Sequence, residues 1–293
     1  RETSEASSSV ISESSASSGV ISTPVLAEDG DLRAFYTDVA NAESVTVMVY
    51  MIGSDLESED GSATDDLLEM ADAALSENIH LVLQTGGTET WWNDVCTDDE
   101  SERFVIENGD MTLLQNLGSV NMTDADTLSD FIRFSAESYP ADRYELILWD
   151  HGGGTMTGFG YDELYEDTSL TLSSLSTALY NGGVQFDFIG FDACLMATAE
   201  VAYALDPYAD YLIASEESEP GEGWAYKNWL TMLAGNPAVP TAELGKKLAD
   251  DFLEAYIFAD MPTLSVLDLR YVPELYAALE SYWGSAYTAL QSG

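Results

Sequence analysis

Residues 145–154, ELILWDHGGG, carry an apolar run from Leu146 to Trp149 that breaks off at Asp150-His151 and a triple glycine. A second stretch of the same form, FDFIGFDACLMA (186–197), ends its apolar run at Asp192-Ala193-Cys194. In both, apolar character is close to continuous rather than alternating, which marks a strand covered on both faces, as in a parallel sheet between helix layers. Groups that do chemistry in such sheets sit just past the C-terminal ends of the strands. The chain has only 2 His and 2 Cys in 293 residues, and one of each stands at such a strand end.

The same alternation extends outward in both directions. VTVMVYMI (45–52) is β-branched and apolar, Asp65 to Leu75 carries helical spacing, and HLVLQTGG (80–87) is apolar again and stops at a Gly pair, so the three form a βαβ unit. Residues 91–117 read as a small antiparallel excursion turned at Asn108-Gly109. Thr123 and Asp126 resemble a capping box for a helix that Pro140 ends. ELILWD, FDFIGFDA, YLIASEE (211–217) and LSVLDL (264–269) complete six buried strands, with LTLSSLSTALYNGG (170–183) as the crossover helix between the His and Cys strands. The expectation is an α/β three-layer αβα sandwich on a mostly parallel sheet of about six strands.

Composition bounds the partners. Nine Lys+Arg against 53 Asp+Glu give a net charge of −44, which repels nucleic acid and acidic membrane surfaces and favours cationic peptides or Ca²⁺. Residues 1–24, RETSEASSSVISESSASSGVISTP, read as a flexible Ser-rich tether, and 25–293 as a single domain. A tether of this kind, in a chain lacking an initiating Met, suits a secreted or cell-surface protein. No run approaches the roughly 20 apolar residues of a membrane span. Past Arg270 the chain carries no distinctive motif, as expected where a C-terminal portion is missing.

His151 and Cys194 on neighbouring strand ends would face one crevice. A thiol must become thiolate to attack a carbonyl, and a nearby imidazole lowers its pKa or protonates the leaving group. Gly152, Gly153 and Gly154 leave backbone N–H groups accessible to a developing oxyanion. Taken alone, a free Cys is more often a small buried hydrophobe; its adjacency to the His-Gly strand end shifts that balance.

DHGGG after one buried strand and FDACLM after the next resemble the clostripain-like cysteine peptidases, a caspase-like group, over about Val45 to Leu269, including MIGSDLE (51–57) and ASEESEPGEGW (214–224). The resemblance implies a caspase-like fold and a cysteine endopeptidase whose catalytic dyad is His151 and Cys194. The amides of Gly152 and Cys194 would bind the oxyanion, and Asp192 would line a pocket for substrate Arg or Lys before the scissile bond. Asp192 also has a physical argument of its own. A carboxylate beside the nucleophile raises the thiol pKa, a penalty relieved when a substrate cation neutralises it; the alternative is an N-cap on LMATAEVAYAL (195–205). Trp224 would wall a neighbouring pocket or pack with Trp229 in the core.

Some relatives cut themselves at a basic site between His and Cys, yet this chain has no Lys or Arg from Tyr144 to Tyr226, so a single-chain enzyme is expected. A lipase-like reading of HGGG fails because there is no G-x-S-x-G elbow and no later His. Four scattered His and Cys residues match no compact zinc site, so no metal is assigned. No cofactor is required. Calcium is compatible with the acidic loop ESEDGSATDD (57–66), whose spacing is not that of an EF-hand. His80 opens a buried strand and reads as structural. The competing class is a non-catalytic or zymogen-locked acidic surface module that binds cationic peptides.

Overall fold

All eight residues of β1 (Val45–Ile52) are buried, and they divide by parity between two cores. Val45, Val47, Val49 and Met51 point into one, and Met48, Tyr50 and Ile52 into the other, because successive side chains of a strand face opposite ways. The computed structural model describes residues 34–165, 168–256 and 262–292. The expected tether, 1–24, lies outside the described residues. After β1 follow α1 (Ser54–Ser58), α2 (Ser62–Ala71), β2 (Ile79–Gly86), β3 (Ser101–Glu107), β4 (Asp110–Gly118), α3 (Ala125–Ser138) and β5 (Arg143–Trp149). Then come α4 (Gly154–Thr157), α5 (Leu172–Gly182), β6 (Phe186–Asp192), α6 (Ala199–Leu205), β7 (Ala209–Ala214), α7 (Tyr226–Gly235), α8 (Thr241–Ala255), β8 (Ser265–Asp268) and α9 (Val272–Ser292).

The strands form one sheet in the order β4-β3-β2-β1-β5-β6-β7-β8. β2, β1, β5, β6 and β7 run parallel. On one face α2, α7 and α8 contribute Leu67, Trp229, Leu244 and Phe252 to the core; on the other α3, α5 and α6 contribute Phe131, Leu175 and Val201. This is the expected three-layer αβα sandwich, with eight strands in place of about six. The difference lies in the antiparallel excursion. β3 and β4 are joined at Asn108-Gly109, where both residues have positive φ (53° and 85°) as a type I′ turn requires, and β3 pairs with β2, so the hairpin extends the main sheet.

Three local expectations are corrected. β8 pairs antiparallel with β7 and is only half-buried along its length, because it closes the sheet as an edge rather than through a crossover. The N-cap of α3 is Asp124, whose side chain accepts from the Asp126 amide, while the Thr123 hydroxyl is engaged with Asn121 and Thr168. The helix after the cysteine begins only at Ala199, capped by Thr198, so Asp192 caps nothing.

Candidate active site

β5 and β6 lie side by side in parallel register with Trp149 opposite Asp192, so the loops that follow them leave the same sheet edge together. The Asp150 amide donates to the Asp192 carbonyl at 3.2 Å, tying the two exits. Chain order reverses next to this point: β1 and β2 build the sheet in one direction and β5 returns to the other side of β1, the topological switch where α/β sheets open a crevice.

The triple glycine is required here for close approach. A methyl group added at Gly152 would run into the Cys194 carbonyl, and one at Gly154, whose φ is +56°, would lie 2.8 Å from the Leu195 carbonyl oxygen. Leu195 itself holds a left-handed φ of 65°, a conformation uncommon for a leucine and sustained by the Leu195 amide donating to the Glu217 carbonyl at 3.0 Å. Neither the Gly152 amide nor the Cys194 amide is spent on a partner among the described residues.

His151 is 43% exposed, and its Nε2 lies 2.7 Å from Oδ1 of Asp55, itself 46% exposed, at the start of α1. Tyr161 meets the imidazole edge-on with ring centroids 6.4 Å apart. A cleft of about 240 Å³ opens beside them, lined by His151, Gly152, Thr157, Gly160, Tyr161 and Ser169; Cys194 is outside this lining. Cys194 is part-buried, and its Sγ accepts the Glu219 amide at 3.3 Å. No hydrogen bond joins His151 to Cys194 among the described residues.

Asp192 is buried and held from the β7–α7 segment. It accepts the Trp224 amide at 3.0 Å and the Tyr226 hydroxyl at 2.8 Å on the same oxygen, Oδ2. Burial pushes its carboxyl up to about 6 despite these donors. Two more carboxylates share the surroundings. Asp66 of α2 accepts from Trp149 Nε1 at 2.6 Å and is raised well above the usual range, first by burial and then by Asp192. Glu219 is raised for the same two reasons, and its carboxylate is buried beside Asp192. Gly223 makes this arrangement fit: at φ +64°, a Cβ there would lie 2.9 Å from both Asp192 Oδ2 and Asp66 Oδ2.

Trp224 contributes its amide to Asp192 while its ring is fully buried beneath Gly190, in one core with Tyr226 and Trp229. His80 packs its ring against Tyr139 at 5.4 Å, away from the strand ends that carry His151 and Cys194. Cys96 and Cys194 are both free thiols, and burial pushes Cys96 up to about 12. Two acids of the 57–66 loop are internal: Glu57 accepts from Thr64 and from the Trp92 amide, and Asp66 is the Trp149 partner. Among the described residues no group of three or more His, Cys, Asp or Glu side chains is arranged to hold a metal ion. Asp55 and Tyr226 carry no role in the sequence reading, and Asp66 enters it only as the last residue of the calcium-compatible stretch 57–66. Asp55 lies within MIGSDLE, where its position just after a buried strand was the available signal.

Residues 49–292 match the profile of the Clostripain family. Clostripain of Hathewaya histolytica is 29% identical over 217 residues, covering 63% of this chain and 41% of that protein. The chain thus spans less than half the length of this relative. A secreted C11 cysteine protease from Bacteroides thetaiotaomicron, solved with an irreversible peptide inhibitor, superposes with a TM-score of 0.66 at 23% identity, covering 80% of this chain and 69% of that one. An inactive zymogen C11 protease from Parabacteroides distasonis superposes with a TM-score of 0.61 at 26% identity, covering 80% and 64%. With the family profile matched from within β1 to the end of α9, and with His and Cys on adjacent strand ends of the same fold, the chain belongs to the clostripain family of cysteine peptidases.

Proposed function

We propose that the protein is a cysteine endopeptidase that cleaves after Arg or Lys, with Cys194 as nucleophile and His151 as acid–base group. His151 takes the thiol proton, the thiolate adds to the substrate carbonyl carbon, and the new oxyanion is met by the amides of Gly152 and Cys194. The C–N bond then breaks as His151 returns the proton to the leaving amine. Water, deprotonated by His151, hydrolyses the thioester and restores the thiol. Asp192 supplies the negative charge for a guanidinium or ammonium, and Trp224 supports it through its amide. The observation that carries this reading is a buried carboxylate two positions before a cysteine whose loop is in backbone contact with the His151-Gly152 turn.

A second reading is favoured by one feature. The Glu219 amide lies on the Cys194 sulfur and the Glu219 carboxylate is buried beside Asp192, which suits a resting, zymogen-locked state with the acidic pocket filled by the protein's own chain. Acidic charge and the Ser-rich 1–24 segment support action on cationic peptides outside the cytoplasm, from a tether. No helix among the described residues is long and apolar enough to cross a membrane.

The test is turnover of matched fluorogenic peptides ending in Arg, Lys, Asp or Leu, under reducing conditions, with and without Ca²⁺, for the wild type, C194A and H151A. Cleavage restricted to basic peptides and lost in both variants is the expected result. Cleavage of Asp or Leu peptides at the same rate would remove the assigned specificity, and activity in C194A would remove the nucleophile.

A further inference from the structure

Two consecutive residues after β1 bridge to two consecutive residues after β5. Ser54 Oγ donates to Asp150 Oδ1 at 2.7 Å, and Asp55 Oδ1 lies 2.7 Å from His151 Nε2. The first bridge is fully internal: Ser54 is buried, and Asp150 is buried with its other oxygen taken by the Tyr161 amide. Ser54 is also clamped along its backbone. Its amide donates to Gly87 O at 3.1 Å, its carbonyl accepts the Thr88 hydroxyl at 2.9 Å, and Gly53 before it donates to Gly86 O at 2.8 Å. These contacts hold Ser54 at a φ of +49°, a left-handed conformation unfavourable for serine that persists only where the surroundings over-determine it. The consequence of that turn is the placement of Asp55 over the imidazole. Strain at one residue, maintained by four hydrogen bonds, thus delivers a carboxylate to one ring nitrogen of His151.

We propose that Asp55 is a positioning residue that holds His151 as its Nε2–H tautomer, so that Nδ1 is the nitrogen that exchanges a proton with Cys194 and the leaving amine. A carboxylate is an acceptor only, so the nitrogen facing it must bear hydrogen in both the neutral and the charged ring. The lone pair of the neutral imidazole is therefore on the opposite nitrogen, and when His151 gains the thiol proton the nearby carboxylate stabilises the imidazolium. The site then works as Asp55–His151–Cys194, with Asp55 touching neither the substrate nor the sulfur.

The inference rests on the reading of His151 as the acid–base group, and the test separates the two. The chain has only His80 and His151, so ¹⁵N-histidine labelling gives two ring systems, assigned with H151A. The expected wild-type result is neutral His151 with a protonated Nε2 and an unprotonated Nδ1. In D55N, whose amide donates as well as accepts, the Nδ1–H form becomes populated. On a basic peptide D55N lowers kcat by about 10–100-fold with KM within about twofold and moves the acid limb of the pH profile, whereas D55E restores part of kcat. An Nδ1–H tautomer in the wild type, or kcat within twofold of wild type in both D55N and D55A, would overturn the proposal. If H151A itself retains full activity, the acid–base reading fails, and the tautomer of His151 still decides what Asp55 does.

Discussion

The Tyr226 hydroxyl donates to Asp192 Oδ2 at 2.8 Å, on the oxygen that also accepts the Trp224 amide. Tyr226 begins α7 and Asp192 ends β6, so one helix start holds the carboxylate two positions before Cys194. Both donors favour the ionised form, opposing the burial that drives it toward neutrality. Replacing Tyr226 by Phe removes one of them from a buried charge, a loss of about 1.5–3 kcal/mol for that bond. Y226F is expected to raise KM for basic peptides with little change in kcat and to move the Asp192 titration above pH 6. Steady-state kinetics across pH 5–8 check this; an unchanged KM would remove Asp192 from substrate binding.

Acidification should strengthen the fold while weakening the capture of cations. Burial raises Asp192 from 3.8 to about 6 and Asp150 from 3.8 to about 7, so both bind protons more tightly folded than unfolded. Their stabilising contribution is complete below the ordinary value and is lost as pH rises through 6 and 7. The urea midpoint is expected to be higher at pH 5.5 than at pH 8. Repulsion within a net charge of −44 has the same sign, but about 1 M salt screens it and leaves the buried part. A midpoint that falls on acidification in high salt would contradict the assignment.

Gly152 and Gly235 form a matched pair. A Cβ at Gly152 collides with the Cys194 carbonyl, whereas one at Gly235 in the last turn of α7 meets nothing within 4 Å. G152A is expected to abolish turnover and slow Cys194 alkylation, while G235A changes stability by no more than about 1 kcal/mol, in the favourable direction. Thermal melting beside the peptide assay reads both.

The two thiols should label unequally. Cys194 is part-exposed, whereas Cys96 is buried and its thiol is pushed up to about 12. Iodoacetamide at pH 8 is expected to place one carbamidomethyl group, at Cys194, by peptide mapping, with Cys96 modified only after denaturation. Equal rates at both positions would sink the view of Cys194 as the accessible nucleophile.

With no Lys or Arg between Tyr144 and Tyr226, an enzyme specific for basic residues has no target between its own His and Cys. Prolonged incubation is expected to leave one chain on a denaturing gel. Two fragments parted within 152–193 would refute either the specificity or the single-chain state.

The sequence by itself determined the strands, the sandwich, and the two strand ends where His151 and Cys194 emerge. Burial on both faces is written as local apolar runs, and a glycine triplet beside a histidine is a local mark of close approach. The Asn108-Gly109 turn was equally legible, because positive φ at two successive residues selects for those side chains. Tertiary structure alone decided who holds the site. Asp55 meets His151 across 96 positions, and Trp149 meets Asp66 across 83, distances at which no periodicity carries a signal. The antiparallel direction of β8 likewise follows from its place at the sheet edge beside β7 and not from its four residues. Asp192 shows the division most plainly: its position two before the cysteine is sequence, but its freedom from helix capping and its capture by Trp224 and Tyr226 exist only once β6 and α7 have packed.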